Sequence, residues 1–364
     1  MKHRFQVLDI FRGMFASFVF LFHLSPFAET AILNNEFVRN SDMFVDFFFV
    51  LSGFVIAYSY QHIETTKQTG DFFKKRLRRI YPLHFVMLMA FVVIEIAKHL
   101  LAGHIQVNNL QSENNGYTFI TSLFLLNSFP VFSIKDVSWN IPSWSISAEM
   151  AAYLVFGLLV FAINKFNFYK LRNVAYLFML SIMLFLFVRI TGGFELNFTY
   201  DYGFLRGIIG FLIGVLCLNF FLRTKDIVNK ASPAFFSFTE PAVLILVCWS
   251  IWNGAAVKHI GLVYEPIFFS CIYIFSFEKG IVSSTLKKIN VLEKVGKYSY
   301  SIYMTHALLI SLFNVLFIRI LKFPPTAYSY LFILNYLLIY FVSAWTYKNI
   351  ELRFHKQKHG VVKE

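Results

Sequence analysis

The feature that most constrains this chain is the recurrence, from one end to the other, of apolar runs of about 18 or more residues. As an α-helix, a run of that length crosses a hydrocarbon core of about 30 Å. Of the 364 residues, 57% are hydrophobic and only 15% are charged, which is unusual for a soluble domain. The sequence therefore predicts an all-α helical bundle that spans a membrane many times.

Ten spanning helices are predicted from the apolar runs. Their approximate ranges are 7–25, 42–60, 81–102, 143–163, 173–191, 201–222, 240–257, 260–278, 298–321 and 327–348. The apolar segment 117–129 has only about 13 residues, which favours a re-entrant or interfacial helix over a span. Residues 1–350 are expected to form the membrane domain, and residues 351–364 a basic cytoplasmic tail. The loop 103–142 is interpreted either as a cap over an outward-facing site or as a solvated connector.

The positive charges are distributed as in a membrane protein rather than a nucleic-acid-binding one. The net charge is +13. With the N-terminus inside, 24 of the 33 Lys and Arg residues fall on the cytoplasmic side, which is the bias that the positive-inside rule requires. The basic residues form no extended domain with a nucleic-acid motif. We therefore expect both termini to be cytoplasmic, with membrane lipids and no nucleic acid as partners.

The three cysteines lie within or beside apolar runs, where cysteine behaves as a small hydrophobic residue. This placement predicts neither a disulfide nor a metal site.

The first span carries ionisable residues, and such residues inside a membrane helix are functional candidates. Arg12 and His23 are eleven positions apart, which leaves about 20° of rotation and about 16 Å of rise between them. They therefore share one face of the helix. Asp9 lies three residues before Arg12, where an ion pair is expected.

We expect three titratable side chains to converge in the outer third of the bundle. Asp46 lies about one turn below the outer surface, His23 lies at a comparable depth, and Glu149 lies about 9 Å below the surface. A carboxylate beside an imidazole fixes its tautomer and raises its basicity, as a general base requires. The alternative interpretation is that His23 is a structural residue whose hydrogen bonds are satisfied within the core.

Two further buried groups have more than one interpretation. His306, with Tyr303 about one turn away, either lines a passage or is a hydrogen-bonded packing residue. Arg206 either binds substrate or stabilises an oxyanion, or it pairs with Asp201 or another carboxylate.

The segment FFKKRLRRIYP ends a predicted inner loop over residues 67–79. A basic cluster beside a span commonly fixes orientation and contacts anionic lipid. Arg76 and Arg79, however, share a helical face, and guanidinium groups suit phosphates. The segment therefore also fits a cytosolic ligand rich in phosphates, such as coenzyme A.

Five motifs together resemble the acyltransferase-3 family of bacterial membrane acyltransferases. In chain order they are LDIFRGMFASFVFLFH, VDFFFVLSGFVIAY, FFKKRLRRIYPLH, WSISAEM and GKYSYSIYMTH. The fourth motif lacks the second acidic residue and the Gln of many members, and the fifth has Met-Thr-His where Leu-Trp-His is common. These departures concern donor and acceptor specificity more than reaction class.

The resemblance implies a multi-pass O-acyltransferase of the bacterial inner membrane. It would transfer an acyl group, most often acetyl, from cytoplasmic acyl-CoA to a hydroxyl of a surface or exported polysaccharide or glycolipid. By the same resemblance, His23 matches the essential histidine, Arg12 its partner, and Arg76 and Arg79 the loop arginines that bind the donor. Acyl-CoA would be a substrate, and no bound cofactor or metal is expected.

Two other functions compete with this interpretation. Buried His, Asp and Glu side chains also form proton relays, as in a proton-coupled transporter or a polysaccharide exporter, but no inverted repeat is evident. A scaffold subunit of an envelope-synthesis complex would leave the buried charges unexplained. We expect no C-terminal hydrolase-like extension, so the chain would act alone, as a homo-oligomer or with a separate envelope-synthesis partner.

Overall fold

The structure, a computed structural model, is all-helical and describes residues 4–101, 113–131 and 134–355. The helices are α1 (Gln6–Leu24), α2 (Glu36–Arg39), α3 (Phe44–Tyr60), α4 (Thr66–Leu101), α5 (Gly116–Leu123), α6 (Ser143–Lys165), α7 (Arg172–Thr191), α8 (Gly203–Val228), α9 (Pro233–Trp252), α10 (Gly254–Val257), α11 (Tyr264–Phe275), α12 (Ile281–Leu286), α13 (Asn290–Lys297), α14 (Ser299–Asn314), α15 (Pro325–Ser329), α16 (Phe332–Thr346) and α17 (Leu352–His355). Within these described ranges there is no β-strand. The predicted fold class is confirmed.

Nine helical segments in the described part of the chain are long and apolar enough to cross a membrane. They are Gln6–Phe27, Ser41–Tyr60, Thr66–Leu100, Ser143–Lys165, Tyr169–Thr191, Gly203–Val228, Pro233–Trp252, Gly254–Phe275 and Ser299–Ile320. Each corresponds to one of the first nine predicted spans. The tenth predicted span contains α16, whose 15 residues continue into a π-helical turn at Tyr347–Glu351.

The basic segment that was predicted to be a loop is part of a helix. α4 is continuous over 36 residues and contains both the basic cluster and the third predicted span, with Pro82 in its interior. The prediction of an inner loop over residues 67–79 is therefore wrong. Straight-chain Lys and Arg residues are good helix formers, so a basic composition does not by itself predict a loop. As a consequence, Arg76 and Arg79 are held on one rigid element.

The segment 117–129 does not cross the bundle. α5 has eight residues, or about 12 Å of helix, and begins with a capping box in which Asn115 accepts from the backbone of Thr118. The described residues between α5 and α6 form no further helix, and both Leu125 and Trp139 have positive φ angles. This agrees with the prediction of a short, non-spanning helix. The polar stretch 102–112 of the loop lies outside the described residues, as does most of the predicted tail, 356–364.

Two glycine contacts bring α3 and α8 unusually close together. A Cβ atom on Gly53 would lie 1.9 Å from the backbone oxygen of Phe211, and one on Gly214 would lie 1.9 Å from that of Val50. Only glycine permits this approach, which is typical of helix packing in membranes. The rotation of α3 about its axis is therefore set by α8.

Candidate active site

A cavity of about 550 Å³ lies between α1, α3, α4, α6 and α14. It begins at Arg4 and Lys297, at the end of the bundle where α1 starts, which we call the basic end. It extends inward to Ser145 and Tyr303. Its volume is within the range of small-molecule sites.

The cavity wall is rich in ionisable side chains. Its cations are Arg4, Arg12, Arg76, Arg79 and Lys297. Its carboxylates are Asp9, Glu149, Glu293 and Glu351. The three arginines predicted for donor or substrate binding at this end thus share one cavity.

Arg12 is held by neighbours on two helices. Its Nε donates to Ser299 Oγ at 2.7 Å, and its Nη2 lies 3.2 Å from Asp9 Oδ1. The predicted pairing of Asp9 with Arg12 is confirmed. Asp9 also pairs with Arg4 at 2.9 Å, so Arg12 is one member of a network at the cavity mouth.

Arg76 and Arg79 face the cavity without a carboxylate partner among the described residues. Arg76 is buried, with 8% of its surface exposed. Its Nη2 donates to the Tyr60 hydroxyl at 3.2 Å, while its Nε is buried and has no hydrogen-bond partner in the described structure. A buried guanidinium without a counter-charge is costly, so this wall is suited to an anionic ligand.

His23 contacts His306 rather than a carboxylate. His23 Nδ1 lies 2.9 Å from the Val19 oxygen and 3.3 Å from His306 Nε2. The predicted convergence of His23 with Asp46 and Glu149 is not what the structure shows. The three side chains face different neighbours.

The hydrogen-bond partners assign the tautomers of both histidines. His306 Nδ1 lies 3.3 Å from the Ile302 oxygen, so it carries the proton and leaves Nε2 as an acceptor. His23 Nδ1 then donates, shared between Val19 and His306. This leaves the lone pair of His23 on Nε2, which has no hydrogen-bond partner among the described residues. The arrangement is that of an oriented base.

Asp46 and Arg206 form a fully buried ion pair. Arg206 Nε and Nη2 donate to the two Asp46 carboxylate oxygens, each at 2.7 Å, and the side chains are 3% and 0% exposed. The Arg206 guanidinium also lies over the Trp144 ring, 5.2 Å from its centroid. Of the two interpretations of Arg206, the structure shows the pairing, with Asp46 as its carboxylate. Both residues join α3 to α8, outside the cavity lining.

Glu149 lines the cavity but has hydroxyl partners. Its Oε1 accepts from Ser52 at 2.6 Å and from Tyr153 at 2.5 Å. Tyr303 connects the cavity with the histidine pair, because its hydroxyl is 2.9 Å from Ser145 Oγ and its ring centroid is 5.8 Å from that of His306. The two histidines therefore lie just beyond the inner end of the cavity.

Glu351 was missed as a site residue. It is 8% exposed, lines the cavity and accepts from Ser301. Because it follows the last predicted span, the sequence placed it in the tail.

In the described part of the chain, no three His, Cys, Asp or Glu side chains are grouped as metal ligands would be.

This fold and cavity define a polytopic helical membrane protein with an internal, arginine-lined site. The profile of the acyltransferase-3 family, described as an acyltransferase domain, matches residues 5–346. The chain therefore belongs to that family.

The chain is also similar to characterised proteins. It is 24% identical to the O-acetyltransferase OatA of Staphylococcus aureus, over 89% of this chain and 54% of that protein. It is 32% identical to the acyltransferase MdmB of Streptomyces mycarofaciens, over 31% of this chain and 27% of that protein. The chain thus matches about half of OatA and about a quarter of MdmB. No solved structure matches it.

Proposed function

We propose that the protein is a membrane O-acyltransferase that moves an acyl group, most often acetyl, from acyl-CoA to a hydroxyl of a surface or exported glycan or glycolipid. The observation that carries the proposal is the cavity: Arg76 and Arg79 face it without carboxylate partners, and its inner end at Tyr303 adjoins the histidine pair. Membership of the acyltransferase-3 family and the similarity to an O-acetyltransferase support it.

The donor would enter from the basic end. Its phosphates would bind Arg76 and Arg79, with Arg12 and Lys297 nearby at the cavity wall. Guanidinium groups bind phosphate oxygens through paired hydrogen bonds, and both Arg76 and Arg79 line the cavity. The thioester would then point inward, toward Tyr303.

The chemical step requires one base. His23 Nε2 removes the proton from the acceptor hydroxyl, and the oxygen forms a bond to the thioester carbonyl carbon. The carbon–sulfur bond then breaks, and the coenzyme A thiolate leaves and takes up a proton. His306 Nε2 accepts the His23 Nδ1 hydrogen and so orients the imidazole. Transfer through a covalent acyl intermediate would make and break the same bonds overall and move the same protons.

The orientation follows from charge. We infer that the basic end faces the cytoplasm of a bacterial cell and that the chain lies in the inner membrane. The positive-inside rule supports this orientation, and acyl-CoA is a cytosolic metabolite. Single cysteines at Lys165 and Lys258, labelled from outside intact cells, test it: only the Lys258 position should react.

A proton-coupled transporter or exporter is the second candidate. Glu265 favours it, because this carboxyl is 1% exposed and neither of its oxygens has a hydrogen-bond partner among the described residues. Buried carboxyls that interact with other ionisable groups, as Glu265 does with Asp46 and Arg206, occur in proton pathways.

Mass spectrometry of surface glycans from cells with and without the gene separates the two functions. Loss of an acyl-sized mass when the gene is deleted supports the transferase. Glycans that keep the same mass but change in exported amount would reject it in favour of transport.

A further inference from the structure

One carboxylate of the cavity wall has an oxygen that nothing in the described structure binds. Glu149 Oε1 accepts from the Ser52 hydroxyl at 2.6 Å and from the Tyr153 hydroxyl at 2.5 Å. The second oxygen, Oε2, accepts no hydrogen bond from the described residues, and the carboxylate forms no ion pair with any of them. Polar groups in the interior of a protein are almost always paired, so Oε2 indicates a place where a ligand binds.

There is room beside this oxygen. Glu149 is half-buried although it lies within a spanning helix, and it lines the cavity of about 550 Å³. The unpaired oxygens of Glu265, in contrast, are closed off from solvent and do not line this cavity. The accessible surface of the Glu149 carboxylate therefore faces the cavity.

Glu149 lies between the Arg76 guanidinium and the inner end of the cavity. The guanidinium lies over the Tyr60 ring, 5.1 Å from its centroid. Tyr60 is eight residues from Ser52 on α3, which is about 12 Å along the helix toward the basic end. Because Ser52 binds Glu149, the carboxylate lies about two turns further in than the guanidinium. Ser145, at the inner end, is one further turn along α6.

The cavity wall at this level consists of hydrogen-bond acceptors and apolar side chains. The hydroxyl hydrogens of Ser52 and Tyr153 are both used on Oε1, which leaves only oxygen lone pairs to face the cavity. Phe48 and Val55 also line the cavity, on the same face of α3 as Ser52. A segment that fits here is uncharged and largely apolar, with an N–H or O–H group to donate.

The donor of the proposed reaction has such a segment. Between the phosphates and the thioester, coenzyme A carries its pantetheine arm, which is uncharged and consists of methylene groups and amides. With the phosphates at Arg76 and the thioester toward Tyr303, this arm passes Glu149. We propose that Glu149 Oε2 accepts a hydrogen bond from an amide N–H of the pantetheine arm. The inference rests on the proposed function and adds a residue that binds the uncharged part of the donor.

Calorimetry on the full chain in lipid nanodiscs tests the inference through binding alone. The ligands are coenzyme A and its carba analogues, in which CH2 replaces the N–H of one or the other pantetheine amide. The wild type should bind at least one analogue about tenfold more weakly than coenzyme A, or worse, because one charge-assisted hydrogen bond is lost. Glu149→Gln should bind coenzyme A and that analogue equally.

Glu149→Gln keeps the size of the side chain but changes one acceptor into a donor. Its carbonyl oxygen must face the Ser52 and Tyr153 hydroxyls, so its NH2 group takes the place of Oε2 and opposes the N–H of the arm. Affinity for coenzyme A should therefore fall about tenfold or more. Glu64→Gln removes the same charge from an exposed position at the basic end, outside the cavity lining, and should leave the affinity unchanged.

A second variant covers the case in which Glu149→Gln does not fold. Glu149→Asp keeps the negative charge but withdraws the carboxylate from the arm by one methylene group. It should also lose the preference for coenzyme A over the analogue. An unchanged preference in this variant would contradict the inference.

The outcomes separate this inference from the function on which it rests. A wild type that binds coenzyme A and both analogues equally would overturn the inference alone, as would a preference of the same size in wild type and Glu149→Gln. Unchanged coenzyme A affinity in Glu149→Gln, with a raised KM for the acceptor in acetyl transfer, would assign the carboxylate to the acceptor and overturn it too. Amide-dependent binding of coenzyme A without any acyl transfer would retain the inference and reject the transferase. A wild type that does not bind coenzyme A would reject both.

Discussion

His306 Nε2 lies 3.3 Å from His23 Nδ1 and joins two helices through residues 283 positions apart in the chain. The contact leaves His23 Nε2 as the free lone pair. A histidine with one nitrogen held and the other available is the arrangement by which an imidazole removes a proton from a hydroxyl. In the proposed mechanism the two rings therefore have different roles, with His23 as the base and His306 as its positioning residue.

His23→Ala should lower acyl transfer by about 100- to 10,000-fold, the usual contribution of a general base. The measurement is acetyl transfer from acetyl-CoA by protein in proteoliposomes, with folding checked by size-exclusion chromatography. His62→Ala, an exposed histidine after α3, is the control and should keep full activity. Transfer at the wild-type rate by His23→Ala would remove His23 from the mechanism.

His306 should act through orientation rather than through contact with substrate. His306→Leu removes the acceptor for the His23 Nδ1 hydrogen and should lower kcat about tenfold, with little change in KM for the donor. His306→Gln retains an acceptor oxygen at a similar reach and should recover part of the loss. If Gln and Leu variants were equally impaired, the hydrogen bond would not be the reason for the effect.

Replacing Arg76 and Arg79 together by alanine should raise KM for acyl-CoA by about 100-fold or more, because charge-assisted hydrogen bonds contribute about 1.5–3 kcal/mol each and two are lost. Lys75→Ala with Arg78→Ala removes the same charge from exposed positions of the same helix and is the matched control. The two double variants should differ in KM for acyl-CoA and in coenzyme A affinity measured by calorimetry. Equal effects of both pairs would indicate a general effect of charge on the membrane surface.

Asp46 and Arg206 should depend on each other for stability. Either Asp46→Leu or Arg206→Leu alone leaves a buried charge unpaired and should destabilise the fold by about 3–5 kcal/mol. The double replacement removes both charges and should recover much of that loss. Thermal unfolding of the purified variants measures the coupling, and additive losses in the double variant would contradict it.

The sequence predicted the features that depend on spacing along a single helix. Apolar run length located the first nine spans, and the interval of three residues predicted the contact between Asp9 and Arg12 that the structure shows at 3.2 Å. The same interval put Arg76 and Arg79 on one face, and both line the cavity. These features follow from the pitch of the helix and need no tertiary structure.

The partner of His23 could not be predicted in this way. Rise per residue gives depth in the membrane, but contacts between helices also depend on how each helix is rotated about its axis. The close approach of Gly53 and Gly214 to the facing backbone sets the rotation of α3 and turns Asp46 toward Arg206 instead of His23. His306 was recognised as a candidate, but its position beside His23 depends on the packing of α14 against α1.

Because α4 is one continuous helix, it fixes the angle about its axis between side chains at different positions along it. Arg79, which lines the cavity, and His84, which contacts the Ser122 oxygen on α5, are five residues apart on one helix, or about 7.5 Å along its axis. One alanine inserted between them would turn the two groups by about 100° relative to each other, while the sequence around each would stay the same. The arginine-lined wall of the cavity and the contact of α4 with α5 are thus kept in angular register by the helical pitch itself.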